Sequence, residues 1–455
     1  MVRLRNWQQK AIHAALKKFE VPFSHFLCLA TPGAGKTVMA SALADTLLKE
    51  NKVDLVLCFS PSTVVANDFK IELESITKKR FCGGLGALGS SLTYQTMRHL
   101  DDTFWYLLIS YRVFVIFDEI HHCAGHKIEK ANAWGAEILK HIQGKARYTL
   151  ALTGTPWRSD TIPIALANYV GDNNQIFVDY QYDLKQAIKD GVCRLPHLTL
   201  VDNELITVIQ DDEKRNFKST REFLDYSSLS YADLIGHDEI LRQILKRGMT
   251  CLNEQRIDNS DAGGLIVAAS ISHAKQIQGV LSELGEHSEV VTYQESEPER
   301  LIQHFKHSRK KWIISISMIS EGTNIPRLRV CCYLSLVTTE LYFRQVLGRV
   351  LRAQYDAREV GYLITLAHPR LLEFAGRVAD EVPHSIVLDS FDEIESKVYL
   401  NSDKSDSYYD DSESAEASNR SNLEIAREHL NDPLVNWYSS TIDSFGRFHQ
   451  KILML

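Results

Sequence analysis

The sequence predicts an α/β protein in which parallel sheets are flanked by helices. Short apolar runs of strand length alternate with helix-like segments from residue 26 onward, and the same alternation starts again at residue 264. Runs that are apolar throughout are typical of strands buried on both faces, as in a parallel sheet covered by helices. We therefore expect two such sheets of similar size in one chain.

The first sheet is expected to follow an amphipathic helix over residues 4–20. Its predicted strands are 26–29, 54–60, 113–117 and 148–152, and its predicted helices are 38–50, 63–76, 162–170 and 183–190. Residues 212–257 have a helical pattern and are rich in both acidic and basic residues, which predicts a solvated helical layer. The second sheet is predicted from strands 264–270, 289–292, 312–317, 330–334 and 361–366, with helices at 273–284, 297–307 and from about 339.

Length and composition describe an ordinary globular protein. At 455 residues the chain is long enough for about three domains. The net charge is −7, but residues 380–416 hold twelve acids and two lysines, which leaves +3 on the remainder. The overall acidity therefore does not exclude a basic groove for nucleic acid.

Three further sequence features concern the cell compartment and the metal content. The eight cysteines form no CxxC pair, which indicates reduced thiols and neither a disulfide framework nor a zinc ribbon. No apolar run approaches the roughly 18 residues that span a membrane, and the N-terminus does not resemble a signal sequence. We expect a cytoplasmic protein that does not bind a membrane.

The segment Ala30–Thr37 reads Ala-Thr-Pro-Gly-Ala-Gly-Lys-Thr and lies between a predicted strand and a predicted helix. This order is the context of a phosphate-binding loop, although the strict pattern begins with Gly where this chain has Ala30. Backbone N–H groups would surround the phosphates, and Gly33 and Gly35 would let the backbone approach closely. Lys36 would meet the β- and γ-phosphates of ATP, and the Thr37 hydroxyl would bind Mg²⁺.

Two adjacent acids, Asp118 and Glu119, follow the buried strand 113–117. Hydrolysis of a magnesium nucleotide needs such a pair at a strand end: Asp118 would hold the metal, and Glu119 would orient or deprotonate the attacking water. A zinc site built from His121, His122, Cys123 and His126 is the less favoured alternative. A second glycine pattern, 84–89, fits the dinucleotide-binding motif, but no convincing strand precedes it, so we interpret it as a flexible surface loop.

The order of these segments resembles the motifs of superfamily-2 helicases and translocases of the DExH type, in the branch that includes type III restriction subunits. The resemblance covers residues 4–370 and is specific because eight motifs occur in the family's order. The motifs are, in order, Ala30–Thr37, Ser60–Ser62, Thr93–Gln95, Asp118–His121, Leu152–Pro156, Ile266–Ser270, Ser320–Pro326 and Gln345–Arg352.

The resemblance implies two tandem RecA-like domains, each a parallel sheet flanked by helices, with ATP bound in the cleft between them. The implied domains are residues 1–195 and 196–385, followed by an acidic, partly disordered C-terminal extension over 386–455. Residues 401–422 are expected to be disordered because they are almost without aliphatic side chains, and 423–455 to form one or two short helices.

The resemblance also implies roles for individual residues. Arg5 and Gln8 would lie near the adenine, and Gln345, Arg349 and Arg352 would complete the site from the second domain when the cleft closes. The remaining implied nucleotide contacts are Thr31, Ala34, Gly322 and Asn324. Asn324 departs from the family, which often has Asp there.

Domain closure would move a nucleic-acid strand that lies across both domains. Hydroxyl and amide groups would contact its phosphates without reading sequence; the predicted donors are Ser60, Thr93, Gln95, Ser270 and Thr323. DNA is the expected strand and RNA the alternative, and other subunits of a defence or repair complex are the implied protein partners. Two functions stay open at this point: a helicase or translocase, and a nucleotide-switched clamp or sensor that does not unwind.

Overall fold

The computed structural model describes residues 3–155, 162–171, 175–210, 213–292, 294–295, 297–316, 325–353, 359–382 and 440–453. The chain forms two compact units. The first comprises Met1–Arg194, Ser317–Pro326 and Thr339–Glu359, and the second comprises Leu195–Ile316, Arg327–Thr338 and Val360–Leu455. This grouping differs from the predicted domains in assigning 317–326 and 339–359 to the first unit. The predicted domain boundaries themselves stay a prediction.

The first unit is built on a parallel sheet of six strands, which confirms the predicted fold class. Its strands are β1 (Ser24–Ala30), β2 (Leu55–Ser60), β3 (Gly89–Thr93), β4 (Val113–Phe117), β5 (Tyr148–Thr153) and β8 (Tyr180–Tyr182). They lie in the order β3-β2-β4-β5-β1-β8. Two further strands, β6 (Asn168–Val170) and β7 (Gln175–Phe177), form a separate antiparallel pair.

Helices flank this sheet because their apolar faces pack on its buried strands. Helix α14 (Glu340–Val350) belongs to the same unit. The longer flanking helices are α1 (Asn6–Lys18), α2 (Lys36–Lys49) and α3 (Thr63–Thr77). The shorter ones are α4 (Tyr94–Met97), α5 (Asp102–Trp105), α6 (Leu107–Ser110), α7 (Ala133–Glu137) and α8 (Leu184–Lys189). Single turns cover Ile120–His122, Ile128–Lys130 and Ile138–Ile142. Leu27, Phe59, Val115 and Phe117 are among the buried residues of this unit's core.

The second unit contains six parallel strands with two antiparallel strands added to β9. The strands are β9 (Leu195–Gln210), β10 (Glu213–Phe217), β11 (Gly263–Ala268), β12 (Ser288–Val291), β13 (Trp312–Ser315), β14 (Leu328–Leu334), β15 (Val360–Leu366) and β16 (Ser440–Leu453). The sheet order is β10-β9-β15-β14-β11-β13-β12, and β16 pairs antiparallel with β9. The helices are α9 (Thr220–Tyr226), α10 (Tyr231–Ile235), α11 (Asp238–Asp258), α12 (Ile271–Glu283), α13 (Pro298–His307) and α15 (Pro369–Glu381).

Three secondary-structure predictions are wrong, among them the start of the helical pattern over residues 212–257, where the strand β10 lies. Residues 162–170 do not form a helix: the N–H of Ile164 donates to the Tyr169 hydroxyl and that of Ala165 to the carbonyl of Cys123, so these groups do not make helical bonds. The short helices expected within 423–455 are replaced, over Ser440–Leu453, by β16. This segment is rich in β-branched and aromatic residues, and its pairing with β9 decides its conformation.

Several strands escaped prediction, and the acidic tail cannot be compared. β3 is short and serine-rich, β9 begins with Leu-Pro and contains an Asp-Asn pair, and β10 lies in the stretch predicted to be helical. The tail segment 401–422 lies outside the described residues. Among the described residues, no helix is long and apolar enough to cross a membrane.

Candidate nucleotide-binding site

The predicted phosphate loop lies between β1 and α2 and has the backbone that phosphate binding requires. Gly33 and Gly35 adopt the left-handed region, with φ of 86° and 95°, where a side chain is unfavourable. α2 begins at Lys36 immediately after Gly35, so its first N–H groups point toward the loop. Backbone N–H donors and the positive end of the helix dipole make this a place for an anion.

The Lys36 side chain is buried and bridges the loop to the acids that follow β4. Its Nζ donates to the carbonyl of Ala30 at 3.2 Å and lies 3.2 Å from Oε1 of Glu119. A methyl group added to Gly154 would lie 3.2 Å from this Nζ, so a glycine at the end of β5 leaves room for the lysine. The structure thus brings together three of the predicted motifs.

The acids Asp118 and Glu119 are held by backbone bonds at the end of β4. The N–H of Asp118 donates to the carbonyl of Phe59 at 2.9 Å, and the Tyr94 hydroxyl donates to the Asp118 carbonyl at 2.7 Å. Glu119 has a φ of 50°, a left-handed conformation that is uncommon for a residue with a side chain and is often found at functional sites. Together these bonds fix the backbone from which both carboxylates extend.

The electrostatic surroundings of Glu119 keep it ionised. Burial raises the pKa of its carboxyl, but the charge of Lys36, the His121 side chain and the N–H of Gly154 outweigh burial and hold the pKa well below its usual range. The Gly154 N–H donates to Oε2 at 3.3 Å. A carboxylate that is ionised at neutral pH can accept a proton from water, as a general base must.

His121 connects the acids to the end of β5. Its Nδ1 lies 3.4 Å from Oε2 of Glu119 and 2.9 Å from the hydroxyl of Thr153. The Thr153 hydroxyl in turn donates to the carbonyl of Thr155 at 2.8 Å. This chain of contacts gives a physical route by which a change at Glu119 would reach the segment after β5.

The zinc alternative finds no support in the arrangement of these residues. The rings of His121 and His122 contact each other in a tilted arrangement with centroids 4.5 Å apart, and Cys123 is buried in the apolar core. Within the described ranges, no three His, Cys, Asp or Glu side chains converge as a metal site would require. Their surroundings are those of packing and hydrogen bonding.

Arg5 and Gln8, expected near the adenine, contact the phosphate loop itself. Arg5 Nη1 donates to the carbonyl of Ala34 at 2.8 Å, and Gln8 Nε2 donates to the carbonyl of Gly35 at 2.9 Å. The Arg5 N–H donates to Oε1 of Gln8 at 2.8 Å, which orients the amide. These bonds hold the loop carbonyls outward from its N–H groups, and a contact with adenine stays a prediction.

The structure also brings α14 and Arg352, two residues after its end, to the phosphate loop. A methyl group added to Gly348 would lie 2.4 Å from Cβ of Pro32, and one added to Gly33 would lie 2.8 Å from Cγ of Arg352. Both glycines are therefore needed for this close packing. Burial lowers the pKa of the Arg352 guanidinium. Gln345 and Arg349 are buried on the same helix, each 8% exposed.

The donor set fits a magnesium nucleotide. The glycine loop and the start of α2 offer N–H groups to phosphates, and Lys36 and Arg352 supply positive charge beside them. Thr37, in the first turn of α2, and Asp118, after β4, provide the hydroxyl and carboxylate oxygens that Mg²⁺ prefers. Thr31 and Ala34 are loop residues, and Gly322 and Asn324 lie outside the described residues.

The predicted nucleic-acid contacts differ in accessibility. Ser60 and Thr93 are buried, at 0% and 8% exposure, and the Thr93 hydroxyl caps α4. Gln95 and Ser270 are exposed, and Thr323 lies outside the described residues. Of the four predicted contacts that the structure describes, Gln95 and Ser270 have side chains that a strand could reach directly.

Comparison with known proteins agrees with this arrangement. A family model described as "Type III restriction enzyme, res subunit" matches residues 1–158, and one described as "Helicase conserved C-terminal domain" matches residues 243–354. Together these matches support a superfamily-2 helicase of the type III restriction-like branch. The two matches together include the phosphate loop, both acids, Arg349 and Arg352.

Two relatives that match most of this chain are uncharacterized proteins, so their names add nothing about its function. An uncharacterized protein of Mycobacterium leprae is 28% identical over 84% of this chain, and one of Mycobacterium tuberculosis H37Rv is 25% identical over 84%. The chain spans just under two thirds of their length, 65% and 64% respectively.

A solved structure shares the fold. It is a fragment named as an HsdR subunit of a type I restriction enzyme from Vibrio vulnificus YJ016, with a TM-score of 0.56 and 16% identity. The match covers 82% of this chain and 65% of that one. At this identity the likeness supports the tandem RecA-like fold alone.

Proposed function

We propose that this chain is an ATP-dependent helicase or translocase that hydrolyses ATP with Mg²⁺ and moves along a nucleic-acid strand, with DNA as the strand. One observation carries the proposal. Lys36, the first residue of α2, places its Nζ 3.2 Å from Oε1 of Glu119, and Arg352 packs on Gly33 beside it. A phosphate-binding lysine, a general base and an arginine thus share one site.

In this proposal the residues act in a defined order. Lys36 exchanges Glu119 for phosphate oxygens when nucleotide binds, because phosphate carries more negative charge than one carboxylate. This releases Glu119, still ionised, to accept a proton from the attacking water. Thr37 and Asp118 would hold Mg²⁺, which when bound neutralises phosphate oxygens.

The arginines would complete the site. Arg352 beside Gly33, with Arg349 on α14, would stabilise the charge that develops on the transferred phosphoryl group. Arginines in this role are typically worth about 10³–10⁵ in rate. The contacts from Glu119 through His121 to Thr153 would relay the state of the nucleotide to the segment after β5.

DNA is favoured over RNA by the restriction-type family model. We expect strand binding to show little sequence preference, because hydroxyl and backbone donors contact phosphates. We expect it to weaken steeply with salt, because binding to the phosphate backbone releases counterions. An affinity that selects sequence and does not depend on salt would contradict this part of the proposal.

The test is steady-state ATP hydrolysis with Mg²⁺, alone and with matched single strands of DNA and RNA. We expect stimulation by DNA, and Lys36→Ala should lower stimulated turnover by about 10²–10³-fold because it removes a charge aimed at the reacting phosphate. Lys275→Ala is the matched control, since Lys275 is an exposed lysine on α12. The basal hydrolysis of this control variant should equal that of the wild type.

Three results would contradict the proposal or change part of it. Retained stimulated turnover in Lys36→Ala would contradict the assignment of the site. Stronger stimulation by RNA would replace DNA as the strand. Hydrolysis without displacement of a paired strand or movement along a single one would favour a nucleotide-switched clamp or sensor.

A further inference from the structure

Arg194 is the last residue of the first long stretch of the first unit, and its side chain is fully buried. The guanidinium uses all three nitrogens. Nη1 donates to the carbonyl of Val350 at 2.9 Å, Nη2 to the carbonyl of Pro326 at 3.2 Å, and Nε lies 2.7 Å from Oε2 of Glu359. All three partners are residues of the first unit that come from distant parts of the sequence.

The backbone around Arg194 joins the same segments. Its N–H donates to the carbonyl of Leu351 at 2.7 Å, and the N–H of Ala353 donates to the carbonyl of Val192 at 3.4 Å. Cys193 and Arg352 lie between these bonds and form an antiparallel bridge. Residues 192–194 and 351–353 therefore run side by side, directly after α14.

This pairing sets the position of Arg352 over the phosphate loop. Arg352 is paired through its backbone, its Cγ packs on Gly33, and the neighbouring Cys193 Sγ lies 3.9 Å from the carbonyl of Pro32. A displacement of residues 350–352 would move the arginine away from the loop. The guanidinium of Arg194 ties Val350, Pro326 and Glu359 together.

We propose that Arg194 is a positioning residue for hydrolysis: its fork holds the end of α14 so that Arg352 stays against the phosphate loop. This inference rests on the proposed function, in which Arg352 stabilises the reacting phosphate. Lysine cannot replace arginine here, because an ammonium cannot satisfy three acceptors that lie in the plane of a guanidinium.

A purely structural role for Arg194 can be separated by comparison with Arg327. Arg327 is also buried, at 6% exposure, and donates to the carbonyls of Phe305, Asp261 and Lys310 at 2.7–3.1 Å. It belongs to the second unit, and none of these partners belongs to the nucleotide site. Arg327→Lys is therefore a matched loss of a buried guanidinium whose side-chain partners lie outside the nucleotide site.

The experiment measures melting temperature, nucleotide affinity and turnover in the full chain for Arg194→Lys, Arg327→Lys and the wild type. We expect Arg194→Lys to bind a magnesium–ATP analogue within about 3-fold of wild type, because the loop itself is intact, while turnover falls about 10- to 100-fold, the loss that misplacing a reacting group by about 1 Å produces. Arg327→Lys should lower the melting temperature and leave turnover per folded molecule within about 2-fold.

Two further variants keep the test decisive. Arg194→Lys combined with Arg352→Lys should lose little more turnover than Arg352→Lys alone, since both act through one group. If Arg194→Lys does not fold, Glu359→Gln removes the charge that fixes Nε and should show the same split between affinity and turnover.

The outcomes distinguish the two proposals. Wild-type chain that never hydrolyses ATP overturns the proposed function and this inference with it. Active wild type with unchanged turnover in Arg194→Lys and in Glu359→Gln overturns this inference alone. Equal losses of affinity and turnover in Arg194→Lys would also overturn it, because they would show a general structural role.

Discussion

The two units contain the same strand–loop–helix arrangement, but among the described residues the glycine loop that we propose binds phosphate occurs in the first unit alone. In the first unit β1 leads to α2 through residues 31–35, and in the second β11 leads to α12 through residues 269–270. The helices are of similar length, 14 and 13 residues. The chemical difference therefore lies in the connecting residues and in how each helix begins.

The backbone N–H groups in the first turns of the two helices differ in their hydrogen-bond partners. The hydroxyl of Ser270 accepts the N–H of His273 at 3.1 Å and so caps α12. α2 follows Gly35, which has no side chain and cannot cap it. The free N–H groups at the start of α2 are therefore available to phosphate, whereas a hydroxyl already occupies the equivalent position of α12. The same fold thus offers an anion site only where the sequence leaves the helix start uncapped.

Among substitutions that test this comparison of the two helix starts, Gly35→Ala should have the largest effect. The φ of 95° is costly for alanine, by about 1–2 kcal/mol, and the new methyl would lie 3.0 Å from Nε2 of Gln8. We expect nucleotide affinity to fall by about 5- to 30-fold, which corresponds to that energy. A titration with a fluorescent ATP analogue measures it.

Gly279→Ala is the matched control in the second unit. Gly279 lies inside α12, and an added methyl meets nothing within 4 Å. Alanine should therefore raise the free energy of unfolding by about 0.5–1 kcal/mol and leave nucleotide affinity unchanged. Equal effects of the two substitutions on affinity would show that the glycines do not distinguish the two units in the way described.

A smaller effect concerns a property that both units share, a partly buried histidine whose pKa is lowered. Burial, followed by the charge of Arg247, lowers the pKa of His197 to about 4, and burial, followed by Lys18, lowers that of His25 to about 4. A folded pKa below the unfolded value means that stability is complete above about pH 6.5 and is lost as the pH falls toward 4.

His197→Phe should remove the second unit's share of this acid sensitivity. The ring contact with Tyr362, at 5.1 Å, can be kept by phenylalanine. We expect similar stability at pH 7 and a gain over wild type of about 1–2 kcal/mol at pH 5, measured by urea unfolding at both values. The same pH dependence in wild type and variant would show that His197 does not titrate as described.

The sequence was most informative where function depends on local pattern. The strand Val113–Phe117, the two acids after it and the loop before Lys36 all lie where the sequence predicts them. Buried strands followed by polar residues are a local signal, because parallel strands bring their ends to one edge of the sheet. The tandem RecA-like fold and the family were predicted from the resemblance of eight ordered motifs to a known family, and each of those motifs is a short local pattern.

Arg194 had no such signal. It is a single arginine between a cysteine and a leucine, and its partners lie 132 to 165 residues away. Its role depends on tertiary contacts that periodicity and motif spacing do not encode. The same holds for the bonds of Arg5 and Gln8 to the loop carbonyls, which a prediction centred on adenine did not include.

The most direct test of the account is the Glu119→Gln variant, measured for both nucleotide binding and hydrolysis. Glutamine has nearly the same shape as glutamate but cannot act as a general base. Loss of the Glu119 carboxylate also frees Lys36 from its 3.2 Å ion pair. We predict that the variant binds a magnesium–ATP analogue at least as tightly as wild type. Its strand-stimulated turnover should be about 10²–10⁴-fold lower, the range expected for loss of a general base. Stimulated turnover within tenfold of wild type would contradict the assignment of Glu119 and, with it, of the whole site.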